Sequence, residues 1–307
     1  MSCITCFHWK DKRNFKELTE EQWIAFLNEL KAMVKTNIEV RFTGGESLLK
    51  EGILDILAES KRLGFYTTMT TNGYLLDKAI LEKLAALKLD NISISLNSLD
   101  PAKHDYFKGR EGSLNKIFEA MKIIRELKLS LPINICTIIS GLNLEDILPI
   151  ILWVKKNEDV LRDISFQAIT QPFRTYPEPD WFEKEKYSYL WPKEHNKVVK
   201  LIDQIIEMRI AGYPIGNSYA ALESYKNYFE DPRKKVKQNC NFNFNVIHLG
   251  PFGDVNLCTQ MNGIGKIIVN PLKKLLSTNY SAICKKTYFE CPANCEILVN
   301  QSFKQDT

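Results

Sequence analysis

Several features that define other classes of protein are missing from this 307-residue sequence. No apolar run approaches the roughly 18 residues that would cross a bilayer. The first residues lack the charged segment followed by an apolar one that marks secretion. The net charge is only +4, and no stretch concentrates Lys and Arg on one face, which argues against a nucleic-acid partner. We therefore expect a cytoplasmic protein that contacts neither membranes nor nucleic acid.

Cysteine, by contrast, is well represented, with eight residues. Because the cytosol keeps thiols reduced, disulfides explain them poorly, and clustered cysteines in an intracellular protein indicate a metal centre. Cys3 and Cys6 lie at the start of the chain. Cys136 lies alone in an apolar run, and we interpret it as a core residue. The other five lie toward the end of the chain: Cys240, Cys258, Cys284, Cys291 and Cys295.

The middle of the sequence alternates between strand-like and helix-like segments. The predicted strands are 38–42, 65–70, 90–96, 132–139 and 163–169. The predicted helices between them are 51–63, 77–88, 113–128 and 144–157, and a capping box at Thr19 starts an earlier helix. This alternation predicts an α/β fold with parallel strands, which fits a barrel, a partial barrel or a doubly wound sheet. In each of these folds the active residues lie at the carboxyl ends of the strands.

The pattern changes twice after the last of these strands. Residues 171–192 are rich in aromatic residues and Pro, which is typical of a long loop over a site or of a linker. Helices are predicted at 193–211 and near 218–230, and the cysteines become frequent after them. We therefore predict three units: a barrel at 1–190, a helical connection at 191–232 and a metal-binding unit at 233–307.

Two motifs near the start of the chain occur in a specific order. Cys3 and Cys6 form a Cys-x-x-Cys pair, and the predicted strand 38–42 leads into the run Phe-Thr-Gly-Gly-Glu-Ser. This order resembles the radical S-adenosylmethionine (SAM) enzymes, whose cluster motif is Cys-x-x-x-Cys-x-x-Cys. Cys3 and Cys6 match its second and third cysteines, and the first would fall before Met1. We therefore expect an N-terminus truncated inside the motif, and a partial (β/α)6 TIM-like barrel that lacks its first strand.

The resemblance implies a set of cofactors and a SAM site. The three cysteines of the motif hold a [4Fe–4S] cluster whose open iron binds SAM, and an electron from a donor such as flavodoxin or ferredoxin leads to a 5′-deoxyadenosyl radical. In this family the Gly-Gly-Glu segment contacts the methionine end of SAM, and polar residues of the fourth strand reach the ribose. The residues at matching positions are Gly44, Gly45, Glu46, Ser95 and Asn97. Family members often have Asp at the last of these positions.

The C-terminal cysteines resemble a second pattern. Seventeen residues separate Cys240 from Cys258, and the run NVIHLGPFGDVNLC predicts a hairpin that ends at the second of them. This opening resembles the auxiliary-cluster domains called SPASM and twitch, so we expect a small cysteine-rich domain of hairpin and helix. The resemblance implies one auxiliary [4Fe–4S] cluster, with Cys291 preferred over Cys284 as one ligand. A structural zinc site with four thiolates is the competing interpretation.

Two hypotheses follow for the function. The first is a radical SAM enzyme that abstracts hydrogen from an unknown substrate, either a peptide or a small molecule. The second is a truncated, catalytically inactive paralogue that binds an iron–sulfur cluster or zinc. The codons upstream of Met1 would distinguish them, because an in-frame Cys codon four positions before that of Cys3 favours the enzyme.

Overall fold

A five-stranded parallel sheet is the centre of the fold. The computed structural model describes residues 1–10, 16–173, 175, 178–233, 246–257 and 264–277. The strands are β1 (Glu39–Phe42), β2 (Tyr66–Thr71), β3 (Asn91–Ser95), β4 (Ile133–Ile139) and β5 (Leu161–Ala168). They lie in the order β1-β2-β3-β4-β5, and every neighbouring pair is parallel. This confirms the predicted α/β fold, and the sequential order is that of a partial barrel, since a doubly wound sheet reverses its strand order.

Helices connect the strands and cover one face of the sheet. They are α1 (Glu20–Met33), α2 (Ile53–Arg62), α3 (Lys78–Leu87), α4 (Pro101–Lys108), α5 (Ser113–Leu127) and α6 (Ile147–Lys156). The predicted capping box is present, because the side chains of Thr19 and Gln22 each accept from the backbone amide of the other. The apolar pattern did not predict α4. Its start is nevertheless typical, with Asp100 as N-cap, accepting from two backbone N–H groups, and Pro101 as first residue.

The two faces of the sheet differ in polarity. On the face that packs against the helices, residues such as Met69, Ile94 and Ile135 are buried. Side chains alternate along a strand, and those of the other face are mostly polar. We call this the polar face, and it includes Glu39, Arg41, Thr68, Asn91, Ser93, Ser95, Asn134 and Cys136. Because a parallel sheet packed in an apolar core on both faces would be apolar on both, the composition of the polar face suits polar contacts instead.

Two further helices, α8 (His195–Ile210) and α9 (Tyr219–Glu230), pack beside β5. The segment between them runs along this strand, since Ile164 N donates to Pro214 O and Gly216 N donates to Ile164 O, both at 2.8 Å. The Tyr225 hydroxyl also donates to the carbonyl of Phe166 at 2.8 Å. Buried side chains of both helices belong to the same apolar core as the strands, among them Val198, Ile202, Leu222 and Phe229. The predicted helical connection thus shares the core of the barrel.

Several described residues of the aromatic-rich segment pack inward. It contains the short helix α7 (Glu185–Ser188), and Trp181 is fully buried. The rings of Trp181 and Trp191 meet edge to face, with centroids 5.6 Å apart. The ring of Tyr187 lies 6.4 Å from that of Phe7. The segment therefore reaches from the barrel core to the N-terminal cysteines.

A small antiparallel sheet and a short helix pack against α1. The sheet consists of β6 (His248–Leu249), β7 (Asp254–Asn256) and β8 (Gly265–Lys266), and the helix is α10 (Leu272–Ser277). β6 and β7 form the predicted hairpin, with Leu249 opposite Val255. Val255 and Leu272 are buried in one apolar cluster with Phe26 of α1. In the described part of the chain, no helix is both long and apolar enough to cross a bilayer.

Candidate functional site

Cys3 and Cys6 lie in a tight turn, residues 2–7, which we call the cysteine turn. The Cys6 amide donates to the Cys3 carbonyl at 3.4 Å, and both thiols are partly exposed. The amide of Ile4, directly after Cys3, donates to the carbonyl of Phe107 at 3.1 Å. The amide of Phe7, directly after Cys6, donates to the carbonyl of Phe173 at 3.0 Å. Phe107 belongs to the last turn of α4, and Phe173 follows the end of β5. The cysteine turn is therefore held from two sides at the edge where the strands end.

Gly109 lets the cysteine turn approach α4 closely. It ends the helix with a φ of +57°, a left-handed conformation that favours glycine. A Cβ at this position would lie 2.5 Å from the carbonyl oxygen of Ser2 and 2.4 Å from its hydroxyl. The Ser2 hydroxyl donates to the Gly109 carbonyl at 3.2 Å. A side chain here would both strain the end of the helix and push the cysteine turn away.

The loop after β1 carries Gly44, Gly45 and Glu46. The Glu46 carboxylate accepts from the hydroxyl of Thr71 at 2.9 Å and from the amide of Asn72 at 2.8 Å. It therefore ties the end of β1 to the end of β2. A Cβ added at either glycine would meet no described atom within 4 Å. Among the described residues, nothing therefore prevents a ligand from coming close to the glycine backbone.

Lys108, the last residue of α4, connects the two motifs. It is only 5% exposed, and burial lowers the pKa of its ammonium group. Four acidic groups raise that pKa, namely those of Cys3, Cys136, Glu46 and Cys6, in descending order of effect. The charges of these groups therefore act on one buried ammonium. The cysteine turn, which is bound to α4, and Glu46, which is bound to the end of β2, both lie at the edge where the strands end.

Cys136 was interpreted from its apolar neighbours as a core residue, but its thiol lies on the polar face. It is paired in register with Ser95, and both residues are partly exposed. Burial raises the pKa of the Cys136 thiol, while the charges of Lys108 and Arg41 act in the opposite direction. The alternation along β4 carried this signal, since Cys136 shares a face with Asn134. Nothing in the local sequence pattern pointed to Lys108.

Asn97 differs in placement from Ser95. It is 3% exposed, and its Oδ1 accepts from the amide of Ile138 at 3.1 Å. Its own backbone amide donates to Nδ1 of His104 at 3.3 Å. Burial lowers the pKa of His104 to about 3, so this imidazole is neutral at physiological pH. The Asn97 side chain therefore links the ends of β3 and β4 and is enclosed between them.

Predicted metal ligands fall into two groups. Those near the end of the chain lie outside the described residues, and they are Cys240, Cys258, Cys284, Cys291 and Cys295. Across the described ranges, no three His, Cys, Asp or Glu side chains form a group that could hold a metal ion. The cysteine turn thus offers two thiols, one fewer than the family motif. They fit an iron–sulfur cluster in kind, because thiolates are its usual ligands and the buried Lys108 ammonium would offset negative charge.

Comparison with known sequences supports the resemblance. Residues 1–154 match the Radical SAM superfamily. The chain is 29% identical over 118 residues to the PqqA peptide cyclase of Granulibacter bethesdensis, covering 38% of this chain and 31% of that protein. It is 37% identical over 148 residues to the GTP 3′,8-cyclase of Peptoclostridium acidaminophilum, covering 47% of this chain and 43% of that protein. The chain therefore spans less than half the length of these curated relatives.

Solved structures share the fold at lower identity. The structure of anSMEcpe with bound AdoMet and the Cp18Cys peptide has a TM-score of 0.68 at 20% identity, covering 97% of this chain and 83% of that one. SuiB of Streptococcus suis, bound to the precursor peptide SuiA, has a TM-score of 0.66 at 16% identity, covering 92% and 63%. The family match covers half of the chain and includes the cysteine turn, the Gly-Gly-Glu loop and Lys108. This chain belongs to the radical SAM superfamily.

Proposed function

We propose that this chain holds the site at which a radical SAM enzyme cleaves SAM reductively. The position of the cysteine turn at the edge where the strands end, with Glu46 linking the ends of β1 and β2 at the same edge, carries the proposal. Cluster ligands and SAM-binding groups have to meet at one place in such an enzyme. These residues come from separate parts of the sequence, so their meeting is a property of the fold and not of local spacing.

Cys3 and Cys6 are proposed as two thiolate ligands of a [4Fe–4S] cluster. The backbone bonds on either side of the cysteine turn fix its position, which reduces the entropy lost on binding. When bound, the cluster and SAM supply a 5′-deoxyadenosyl radical that abstracts hydrogen from the substrate. A flavodoxin or ferredoxin is proposed as the source of the electron.

Gly44, Gly45 and Glu46 are proposed to receive the methionine end of SAM. No described atom lies within 4 Å of a Cβ added at either glycine, which supports this. The Glu46 carboxylate accepts from Thr71, Asn72 and the amide of Leu48, and it has a further lone pair to accept from an ammonium. Ser95 is proposed for the ribose, a role that its partial exposure on the polar face supports. For Asn97 we propose a supporting role, because its carbonyl oxygen already accepts from β4.

The substrate is proposed to be a peptide that reaches the polar face. One curated relative is a peptide cyclase, and two structures of the same fold contain a bound peptide. A small molecule is the alternative, which the similarity to a GTP cyclase supports. The polar groups along the strands suit either one, since both need hydrogen-bonding partners in a site that excludes water.

The rest of the chain is proposed to complete a three-part protein. The parts are a barrel at 1–190, a helical connection at 191–232 and an auxiliary-cluster unit at 233–307. For this last unit we propose an auxiliary [4Fe–4S] cluster, on the spacing of its cysteines. Its ligands would be Cys240, Cys258 and Cys295, with Cys291 or Cys284. Metal analysis after anaerobic purification separates this proposal from a zinc site, which would contain zinc and no iron.

The test is anaerobic reconstitution with iron and sulfide, followed by an assay of 5′-deoxyadenosine formed from SAM and dithionite. We expect a variant extended at its N-terminus, with a cysteine four positions before Cys3, to cleave SAM faster than the chain without that cysteine. Cys3→Ser and Cys6→Ser should lose iron and activity, whereas Cys136→Ala, a thiol of the same site, should keep its iron. Iron without cleavage in either version would favour the inactive paralogue, and zinc alone would refute the proposal.

A further inference from the structure

Arg110, directly after the glycine that ends α4, carries a positive charge without an acidic partner. Its guanidinium forms no ion pair with any residue in the described part of the chain. Other arginines of the described ranges are paired with a carboxylate at 2.8 Å or less, among them Arg41, Arg62, Arg125, Arg162 and Arg233. Because an unpaired guanidinium keeps N–H donors free, Arg110 can bind an anion from outside the chain.

The side chain of Tyr74 holds this guanidinium in place. Nη2 of Arg110 donates to the Tyr74 hydroxyl at 3.0 Å, and the guanidinium carbon lies 4.7 Å from the centroid of the ring. The amide of Tyr74 donates to Oδ1 of Asn72 at 2.8 Å, and the amide of Asn72 donates to Glu46. A fixed guanidinium with free donors suits a carboxylate, which it can bind through two parallel hydrogen bonds.

A second cation without an acidic partner follows the cysteine turn. The ammonium of Lys10 lies 3.6 Å from the centroid of the Phe7 ring and 5.2 Å from that of the Trp9 ring. It forms no ion pair with a residue that the structure describes. The Trp9 indole donates to the carbonyl of Cys3 at 3.3 Å, which fixes this segment on the cysteine turn.

Three aromatic side chains next to the cysteine turn or to Arg110 are exposed. Trp9 is 48% exposed, Tyr106 is 56% exposed and Phe173 is 47% exposed. Tyr106 lies on the last turn of α4, and the carbonyl of Phe173 binds the cysteine turn. Tyr, Trp, Phe and Arg are enriched where proteins bind other chains. We call the exposed group the aromatic rim, and it consists of Trp9, Lys10, Tyr106, Arg110 and Phe173.

We propose that the aromatic rim binds an acidic segment of the substrate peptide, with a carboxylate on Arg110 and apolar side chains on the exposed rings. This inference rests on the peptide substrate of the proposed function. Charge carries the choice of partner, because two unpaired cations attract acidic residues and disfavour basic ones. The location supports it too, since the rim borders the cysteine turn at the edge where the strands end.

The experiment measures peptide binding to the full chain by fluorescence anisotropy, without SAM. The probe is a short fluorescein-labelled peptide in which Glu and Phe alternate, and a second peptide has Lys in place of Glu. The variants are Arg110→Gln, Arg110→Lys, Tyr74→Phe and Arg125→Gln. Arg125 is the matched control, because it is exposed but paired with Asp159 at 2.6 Å. Circular dichroism checks that each variant is folded.

We expect the wild type to bind the Glu peptide about tenfold more tightly than the Lys peptide, or better. Arg110→Gln should weaken binding of the Glu peptide about tenfold, which is about 1.4 kcal/mol. Arg110→Lys should not restore the affinity, because an ammonium lacks the paired donors of a guanidinium. Tyr74→Phe should give a smaller loss, since the ring remains and only the hydrogen bond is removed. Arg125→Gln should bind as the wild type does.

Equal affinity of the wild type for the two peptides would overturn the inference, and so would an unchanged affinity of Arg110→Gln for the Glu peptide. If a flavodoxin loses affinity in Arg110→Gln while the peptide does not, the rim receives the electron donor instead, which also overturns the inference. Peptide binding is measured without iron or SAM chemistry. A chain that binds the peptide but fails to cleave SAM would therefore count against the proposed cleavage and not against the rim.

Discussion

Replacing Gly109 by alanine should displace the cysteine turn and leave the rest of the barrel folded. The left-handed conformation at this position costs about 1 kcal/mol for a residue with a Cβ. The new Cβ would also lie 2.5 Å from the Ser2 carbonyl oxygen. A carbon and an oxygen that are not bonded to each other cannot approach so closely, so the turn must move. Moving it breaks two hydrogen bonds, from the Ser2 hydroxyl and from the amide after Cys3.

The size of the effect follows from these two bonds. A hydrogen bond of this kind contributes about 1 kcal/mol, so the docked position of the turn loses about 2 kcal/mol. That is roughly a 30-fold drop in the ratio of docked to undocked turn, since each 1.4 kcal/mol is tenfold. We expect the rate of hydrogen exchange at the amide after Cys3 to rise by about the same factor. Iron should also be lost to a chelator more readily.

Gly112→Ala is the matched control for this prediction. Gly112 also has a positive φ, +75°, but a Cβ there would meet no described atom within 4 Å. Both variants should lose about 1 kcal/mol in urea unfolding from backbone strain. Only Gly109→Ala should change hydrogen exchange at the cysteine turn and the retention of iron. Equal retention in the two variants would refute the reasoning that this glycine is needed for close approach.

Three further predictions concern stability. Asp105 caps α5 by accepting from two amides and a hydroxyl, and these bonds outweigh burial and hold the pKa of its carboxyl below the usual value. Asp105→Asn should therefore lower the free energy of unfolding in urea by about 1 kcal/mol at pH 7. The difference should begin to shrink below about pH 4, where the unfolded carboxyl becomes protonated, and should be lost as the pH falls through the lower pKa of the folded state. Thr71→Val should lower the free energy of unfolding in urea by about 2 kcal/mol, because the variant lacks a buried donor to the Glu46 carboxylate. An unchanged free energy of unfolding would show that this hydrogen bond does not hold the loop after β1. Lys108→Met should stabilise the metal-free protein by about 1 kcal/mol, because burial disfavours the Lys108 ammonium and methionine replaces it with an apolar chain. A variant less stable than the wild type in the presence of a chelator would contradict this.

The five strands were accessible from the sequence because each is bounded by helical segments of clear period. Their order in the sheet was not, because the alternation of strand and helix fits a barrel and a doubly wound sheet alike. Helix α4 was missed because it has only eight residues, too few for an apolar period to emerge. Its start could have been predicted from Asp100 and Pro101, an N-cap followed by a residue suited to the first turn. The ends of elements carry side-chain signals of this kind even where the interiors do not.

The motif residues were accessible from the sequence, but their surroundings were not. Spacing led to Cys3, Cys6 and Glu46 as a group, whereas Lys108 resembles any lysine near the end of an exposed helix. Its burial results from the meeting of α4 with the cysteine turn, which is a contact between distant parts of the chain. Asn97 shows the same limit, since its position fits a ligand contact but its amide oxygen is occupied by a neighbouring strand.

The bond between the cysteine turn and Phe173 has a consequence for biosynthesis. It joins residues 7 and 173, which are 166 positions apart, so it cannot form until the ribosome has released the end of β5. At about 5–20 residues per second, this is roughly 10 to 30 s after the two cysteines are made. During that interval the thiols are on a nascent segment without their final supports. Iron delivered before the barrel closes would meet an incomplete site, so loading should follow synthesis of the whole barrel.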